Sequence, residues 1–204
     1  MNSVMKTYRV NNIFYSLQGE GYNTGRAAAF IRFASCNLRC AFCDTEFDSY
    51  KEMSAKEIID AIEVYPARFV VLTGGEPTLQ VDELLIDLLH QHSYTVAMES
   101  NGTRPSPRNV DWLTVSPKVS SGEKWLPKGE RMADEIKIVF DEQTDPETIV
   151  PPSGPQPSQR LYLQPCDTGD ANRNAAIVER CVEYIKHHPQ WRLSLQTHKL
   201  IHIE

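Results

Sequence analysis

The regular alternation of apolar runs with amphipathic segments is what most limits the folds open to this chain. AAAFIRFA (27–34), ARFVVLTGG (67–75), YTVAMES (94–100), WLTVSPK (112–118), DEIKIVF (134–140), RLYLQP (160–165) and WRLSLQT (191–197) read as strands. Each is a short apolar run bounded by Gly, Pro or polar residues. SAKE (54–57) is a capping-box pattern, Ser54 with Glu57, opening a helix to about Val64. VDELLIDLLHQH (81–92) carries leucines at helical spacing, and ANRNAAIVERCVEYIKHH (171–188) is a longer amphipathic helix. Strand–helix alternation implies a parallel sheet with right-handed crossovers. Near-continuous apolar strands suit a sheet covered on both faces.

A closed eightfold barrel takes about 250 residues, and this chain has 204. The segment between Ser100 and Trp112 is too short and Pro-rich for a full crossover helix. The predicted fold is therefore α/β, an incomplete, shortened TIM-like barrel of parallel strands, in a single domain over residues 1–204. VPPSGPQPSQ (150–159) reads as a polyproline-like loop within that domain.

In such folds ligands gather beyond the C-terminal ends of the strands. Here those ends read CNLRCAFCDT, TGGEP, ESNGT, SPK, LQPCD and QTHK. Nearly every one carries Cys, Gly, Thr, Ser, Lys or His, so one face of the sheet is predicted to be the site. Charged residues make up 24% and the net charge is -6, which argues against an extended nucleic-acid surface. No apolar run reaches bilayer length, and MNSVMKTYRV lacks the apolar core of a signal peptide. A cytoplasmic protein is predicted, with no membrane partner.

In a reducing compartment five cysteines are poor candidates for disulfides. Cys36, Cys40 and Cys43 form a C-x3-C-x2-C loop, which points to metal or redox chemistry. Structural zinc wants a closed tetrahedral set, and the loop offers neither a second Cys pair nor a His. An iron–sulfur cluster of the [4Fe–4S] type is normally held by four thiolates. Three would leave one iron open for a substrate or cofactor. Cys181, inside a helix, reads as a small buried hydrophobe.

Cys36-x3-Cys40-x2-Cys43, with the aromatic Phe42 before the last cysteine, resembles the cluster motif of the radical S-adenosylmethionine (SAM) enzymes. Thr73-Gly74-Gly75-Glu76-Pro77 resembles their GGEP loop. Several further motifs follow in order: FYSLQGEG, FIR, CDT, TGGEP, ESNGT, SPK, LQP and QTHK. From about Asn11 to the C-terminus they resemble the 7-carboxy-7-deazaguanine synthase family, in the compact form without an insertion between the first two cysteines.

That resemblance implies a [4Fe–4S] cluster on Cys36, Cys40 and Cys43, whose open iron chelates SAM. It implies a radical ring contraction of 6-carboxy-5,6,7,8-tetrahydropterin to 7-carboxy-7-deazaguanine with loss of ammonia, in queuosine precursor biosynthesis. Thr45 would bind Mg2+. Phe42, Asp44, Gly75, Glu76, Ser116, Lys118, Gln164, Pro165, Cys166 and Asp167 would meet SAM, with Glu99 and Asn101 as neighbours. Leu17, Gln18, Gly19, Glu20, Arg32, Thr73, His198 and Glu204 would meet the pterin. A homodimer and a flavodoxin-type electron donor are implied as well.

Taken without the family, some of these residues have plainer roles: Thr45 a turn cap, Arg32 a structural ion pair, QGEG a simple turn and His198 an exposed residue. Two other functions compete. A glycyl-radical activase would use the same cluster on a protein substrate, and a non-catalytic iron–sulfur or zinc module would bind metal without cleaving SAM. The QGEG and CDT contexts disfavour the first, and the TGGEP loop disfavours the second.

Overall fold

The computed structural model describes residues 6–43, 45–118, 132–149 and 159–204. One sheet of nine strands runs through them. β1 (Thr7–Leu17), β2 (Ala27–Phe33) and β3 (Lys51–Ser54) come first. They are followed by β4 (Phe69–Gly74), β5 (Thr95–Ser100), β6 (Trp112–Val115), β7 (Glu135–Phe140), β8 (Arg160–Pro165) and β9 (Trp191–Leu193). The helices are α1 (Ala55–Ile62), α2 (Glu83–Gln91), α3 (Ala171–His187) and α4 (Thr197–Leu200). The strand order is β3-β1-β2-β4-β5-β6-β7-β8-β9. β3 and β9 remain as edges, so the barrel is open.

Every pairing from β2 to β9 is parallel, as the alternation predicts. β1 and β3 add an antiparallel end to the sheet that the sequence pattern does not announce. β1 hides because its two-residue period breaks where the register shifts between Val10 and Asn12.

Local signals set the helix starts. Glu57 accepts the Ser54 N–H at 2.8 Å, and Ser54 Oγ accepts the Glu57 N–H at 3.3 Å, which is the predicted capping box. Asp82 and Asp170 cap α2 and α3. The chain between β5 and β6 forms no helix, in line with its proline content. The Pro-rich stretch at 150–159 lies outside the described residues except for Gln159.

Alternation along each strand separates two faces. Ile31, Phe33, Leu72, Met98, Ile136, Ile138, Leu161 and Leu163 pack with the helices into the main core. The opposite face holds a smaller apolar cluster of Phe14, Ala28, Phe30, Phe69, Val71 and Ala97. The expectation of two covered faces is thus half met, because the second face stays open as a cavity. Arg32, Thr73, Glu99, Lys137 and Gln164 alternate with core residues on their strands and line that cavity.

Candidate active site

The cavity has a volume of about 540 Å³ and gathers the C-terminal ends of the parallel strands. Its first wall is the cysteine loop. The chain turns out of β2 at Ser35, whose φ is +72°, and the loop is closed by Ser35 N–H donating to the Phe47 carbonyl at 2.8 Å. Cys43 N–H donates to the Cys40 carbonyl at 3.1 Å. Cys36 Sγ accepts Leu38 N–H at 3.4 Å and the Asn101 side-chain amide at 4.0 Å. All five cysteines are free, but only the three of the loop and Cys166 line the cavity. Burial pushes the Cys36 and Cys40 thiols above their ordinary value.

The TGGEP loop zips onto this wall. Gly75 N–H donates to the Phe33 carbonyl and Glu76 N–H to the Ser35 carbonyl, both at 2.9 Å. A Cβ on Gly75 would lie 2.1 Å from Ser35 O and 3.0 Å from Cys36 N. Only glycine lets the two loops meet so closely. Glu76 turns its carboxylate away from the cavity. It is fully buried and accepts from Thr78 N–H at 3.1 Å, Thr78 Oγ1 at 2.6 Å, Ser100 Oγ at 2.8 Å and Asn101 N–H at 2.7 Å. With both oxygens so engaged, the side chain predicted to meet SAM ties the ends of β4 and β5 together.

Ser116 and Lys118 follow β6. Lys118 Nζ donates to Ser116 Oγ at 2.8 Å and lies 5.7 Å from the Phe42 ring centre. Burial, then the Lys137 charge, lowers the Lys118 pKa. Past β8, Asp167 accepts from Gly169 N–H at 3.0 Å, Asn174 at 2.8 Å and Lys199 at 3.1 Å. These contacts, the Gly169 N–H foremost, hold its carboxyl at about 2.

The opposite wall comes from the turn between β1 and β2 and from the C-terminal segment. A Cβ on Gly19 would lie 2.1 Å from His198 Nδ1, so glycine lets His198 reach the cavity. Thr197 holds the Gly19 carbonyl through its N–H and its Oγ1, both at 2.9 Å. Ser16 Oγ donates to the Glu204 main-chain oxygen at 2.5 Å, and Asn12 to Glu204 Oε1 at 2.9 Å. Arg32 stands over the Phe14 ring at 5.1 Å, and its Nε is buried with no hydrogen-bond partner among the described residues.

Between the walls lies a charge cluster. Lys137 Nζ donates to Glu20 Oε2 and, at 3.2 Å, to Glu99 Oε2. Gln164 and Gln196 donate to Glu20 Oε1 at 3.0 and 2.9 Å, and Gln18 donates to Glu99 Oε1 at 2.8 Å. Burial opposes ionisation of Glu20, yet the Lys137 ammonium and then the Gln196 amide hold its pKa down. Gln164, predicted to meet SAM, therefore also supports Glu20.

The structure thus brings the predicted residues into one cavity: Leu17, Gln18, Gly19, Glu20, Arg32 and Thr73, with Cys36, Cys40, Phe42, Cys43, Thr45 and Gly75. Ser116, Lys118, Gln164, Pro165, Cys166, Asp167, His198 and Glu204 join them. Glu76 is the exception, and Asp44 lies outside the described residues. Sequence reasoning missed Lys137, Gln196 and Lys199. The available signal for Lys137 was a lone lysine two positions from Glu135 in an otherwise apolar strand, where period two sets both on one face.

The sequence pattern of the radical SAM superfamily matches residues 30–117, which run from the middle of β2 through the cysteine loop and the strands to β6. The 7-carboxy-7-deazaguanine synthase of Bacteroides thetaiotaomicron is 46% identical over 195 residues, covering 96% of this chain and 98% of that protein. The 7-carboxy-7-deazaguanine synthase of Bordetella pertussis is 42% identical over 219 residues, covering 96% and 99%. This chain belongs to the 7-carboxy-7-deazaguanine synthase family of radical SAM enzymes. The crystal structure of QueE from Escherichia coli has the same fold, with a TM-score of 0.79, 31% identity and 93% of each chain covered.

Membership of the radical SAM superfamily brings a [4Fe–4S] cluster and SAM with it. The donor set fits the cluster: three unpaired thiols, two of them half-buried and the third exposed, share one wall with the glycine-dependent loop at Gly75. Among the described residues, no three His, Cys, Asp or Glu side chains already converge as a metal set. The thiols share the wall without meeting at a point. No helix among the described residues is long and apolar enough to cross a membrane.

Proposed function

We propose that this cavity converts 6-carboxy-5,6,7,8-tetrahydropterin to 7-carboxy-7-deazaguanine and ammonia, a redox-neutral ring contraction in queuosine precursor biosynthesis. The observation that carries this reading is the pairing of Arg32 with the Glu20–Glu99 wall in a cavity that also holds the three cysteines. A carboxytetrahydropterin has a carboxylate at one end and a guanidine-like N–H edge at the other. Arg32, with its buried unpartnered Nε, suits the carboxylate, since a guanidinium is a fixed planar donor fork. Glu20 and Glu99 suit the N–H edge, since carboxylates accept paired donors.

When bound, the cluster on Cys36, Cys40 and Cys43 together with SAM supplies a carbon-centred radical that removes the hydrogen at C6. The chain's own residues position and exclude. Gly75 lets backbone approach the cofactor. Ser116, Lys118, Gln164 and the Pro165-Cys166-Asp167 stretch flank it, with Phe42 beside them and Asp44, which follows Cys43 in the sequence, in the same set. Leu17, Gln18, Gly19, Thr73, His198 and Glu204 hold the pterin over the stacked Phe14–Phe30 pair, whose ring centres are 4.8 Å apart.

Thr45 is proposed as a Mg2+ ligand, with the substrate carboxylate and waters completing a set of hard oxygens. The reading includes one domain over residues 1–204, a homodimer, a flavodoxin-type electron donor and a cytoplasmic setting. The test is anaerobic turnover of reconstituted protein with reductant, SAM and the carboxytetrahydropterin, with and without Mg2+. Equal amounts of ammonia and the deazaguanine are expected, and more with Mg2+. SAM cleavage by a fully loaded protein without either product would overturn the substrate assignment.

A further inference from the structure

Lys137 lies outside the family motifs, yet it joins Glu20 of FYSLQGEG to Glu99 of ESNGT. Its side chain is only 4% exposed. One ammonium from β7 faces two carboxylates, Glu20 from the turn after β1 and Glu99 from β5. No other described cation lies within ion-pair distance of either carboxylate. Glu135 on β7 itself, Lys118 beyond β6 and His198 on α4 are the other titratable groups acting on this cluster. The amides of Gln18, Gln164 and Gln196 fix the remaining geometry. Each Glu99 oxygen accepts one donor here and keeps capacity for another.

We propose that Lys137 is a positioning residue that holds Glu20 and Glu99 together as anions on the cavity wall, so that the wall accepts a ligand edge of adjacent N–H donors. Two partly buried carboxylates that share one ammonium would repel without it, and desolvation favours the neutral acid, which would present an O–H donor in place of an acceptor. One ammonium between two carboxylates removes the repulsion and still leaves a negative charge for the ligand. The proposal rests on the pterin reading above, and it adds what keeps the edge-reading carboxylates ionised.

The test is binding of 6-carboxypterin, an oxidised analogue, to reconstituted protein, followed by its fluorescence between about pH 7.5 and about pH 6. Wild type is expected to bind with an affinity that changes less than about twofold across this interval, since Glu20 stays ionised. Lys137→Met is expected to lose roughly tenfold in affinity over the same interval as Glu20 takes up a proton. Lys137→Arg should restore the flat profile. His198 is common to all variants, and all profiles are taken in a Glu135→Gln background, because Lys137 itself pulls on the Glu135 carboxyl. Should Lys137→Met fail to fold, the double variant Lys137→Met/Glu99→Gln removes a cation and an anion together. Glu20 then stands without its ammonium but also without the Glu99 charge, and a smaller pH-dependent loss in the same direction is expected. A folded variant lacking the lysine that binds as flatly as wild type overturns the role of Lys137 alone. Wild type that does not bind the pterin overturns the substrate reading with it.

Discussion

Gly75 is pressed against Ser35 so closely that a Cβ would sit 2.1 Å from the Ser35 carbonyl oxygen. Through this contact the TGGEP loop and the cysteine loop form a single surface. Both are anchored at the end of β2 by hydrogen bonds to the Phe33 and Ser35 carbonyls.

Gly75→Ala should push the two loops apart, because the atoms it meets are backbone and have little room to yield. SAM affinity, measured by equilibrium dialysis of the reconstituted protein, should fall by about tenfold or more, an overpacking cost of about 1–3 kcal/mol. Iron content per chain should fall with it.

Glu76→Gln tests whether that carboxylate is a fastener. One of its oxygens becomes an amide donor facing groups that now donate to it: Thr78 and Ser100 on one side, Asn101 N–H on the other. Urea unfolding should show a loss of about 2 kcal/mol with an unchanged denaturant slope. A variant as stable as wild type but unable to bind SAM would return Glu76 to the cofactor.

Much of the fold was legible because strand ends in this chain are marked twice, by an apolar run and by a polar motif after it. The buried bonds of Glu76 were not legible, because TGGEP marks a loop without saying which way each side chain points. The donors to the buried Glu76 carboxylate come from Ser100 and Asn101, a strand away. Lys137 was missed for a related reason: within DEIKIVF a lysine looks solvent-facing, and its carboxylate partners are 117 and 38 positions away. β1 was missed because Asn11 and Asn12 interrupt its alternation.

Glu135 gives a pH signature. Burial, outweighing the pull of Lys137 and the Tyr22 N–H, pushes its carboxyl from 4.5 to about 7. The folded state therefore binds more protons than the unfolded state between those values, and stability falls as pH rises through that window. Glu135→Gln keeps the acceptor for Tyr22 and removes the titration. Denaturant unfolding above about pH 7 should show the variant more stable by roughly 3 kcal/mol, with the gain fading to nothing below about pH 4.5.

Arg32→Lys keeps the charge and discards the planar fork. The KM for the carboxytetrahydropterin should rise by about tenfold or more while SAM affinity stays unchanged. Equal losses for both ligands would point to a structural role for Arg32 over the Phe14 ring.

The central claim is that one cavity holds the cluster, SAM and the pterin side by side. Electron paramagnetic resonance of the reduced, reconstituted protein tests it most directly. The cluster signal should change when SAM is added and change again when 6-carboxypterin is added at saturating concentration. A pterin that binds in full, yet leaves the SAM-bound signal untouched, would place its site elsewhere and contradict the account.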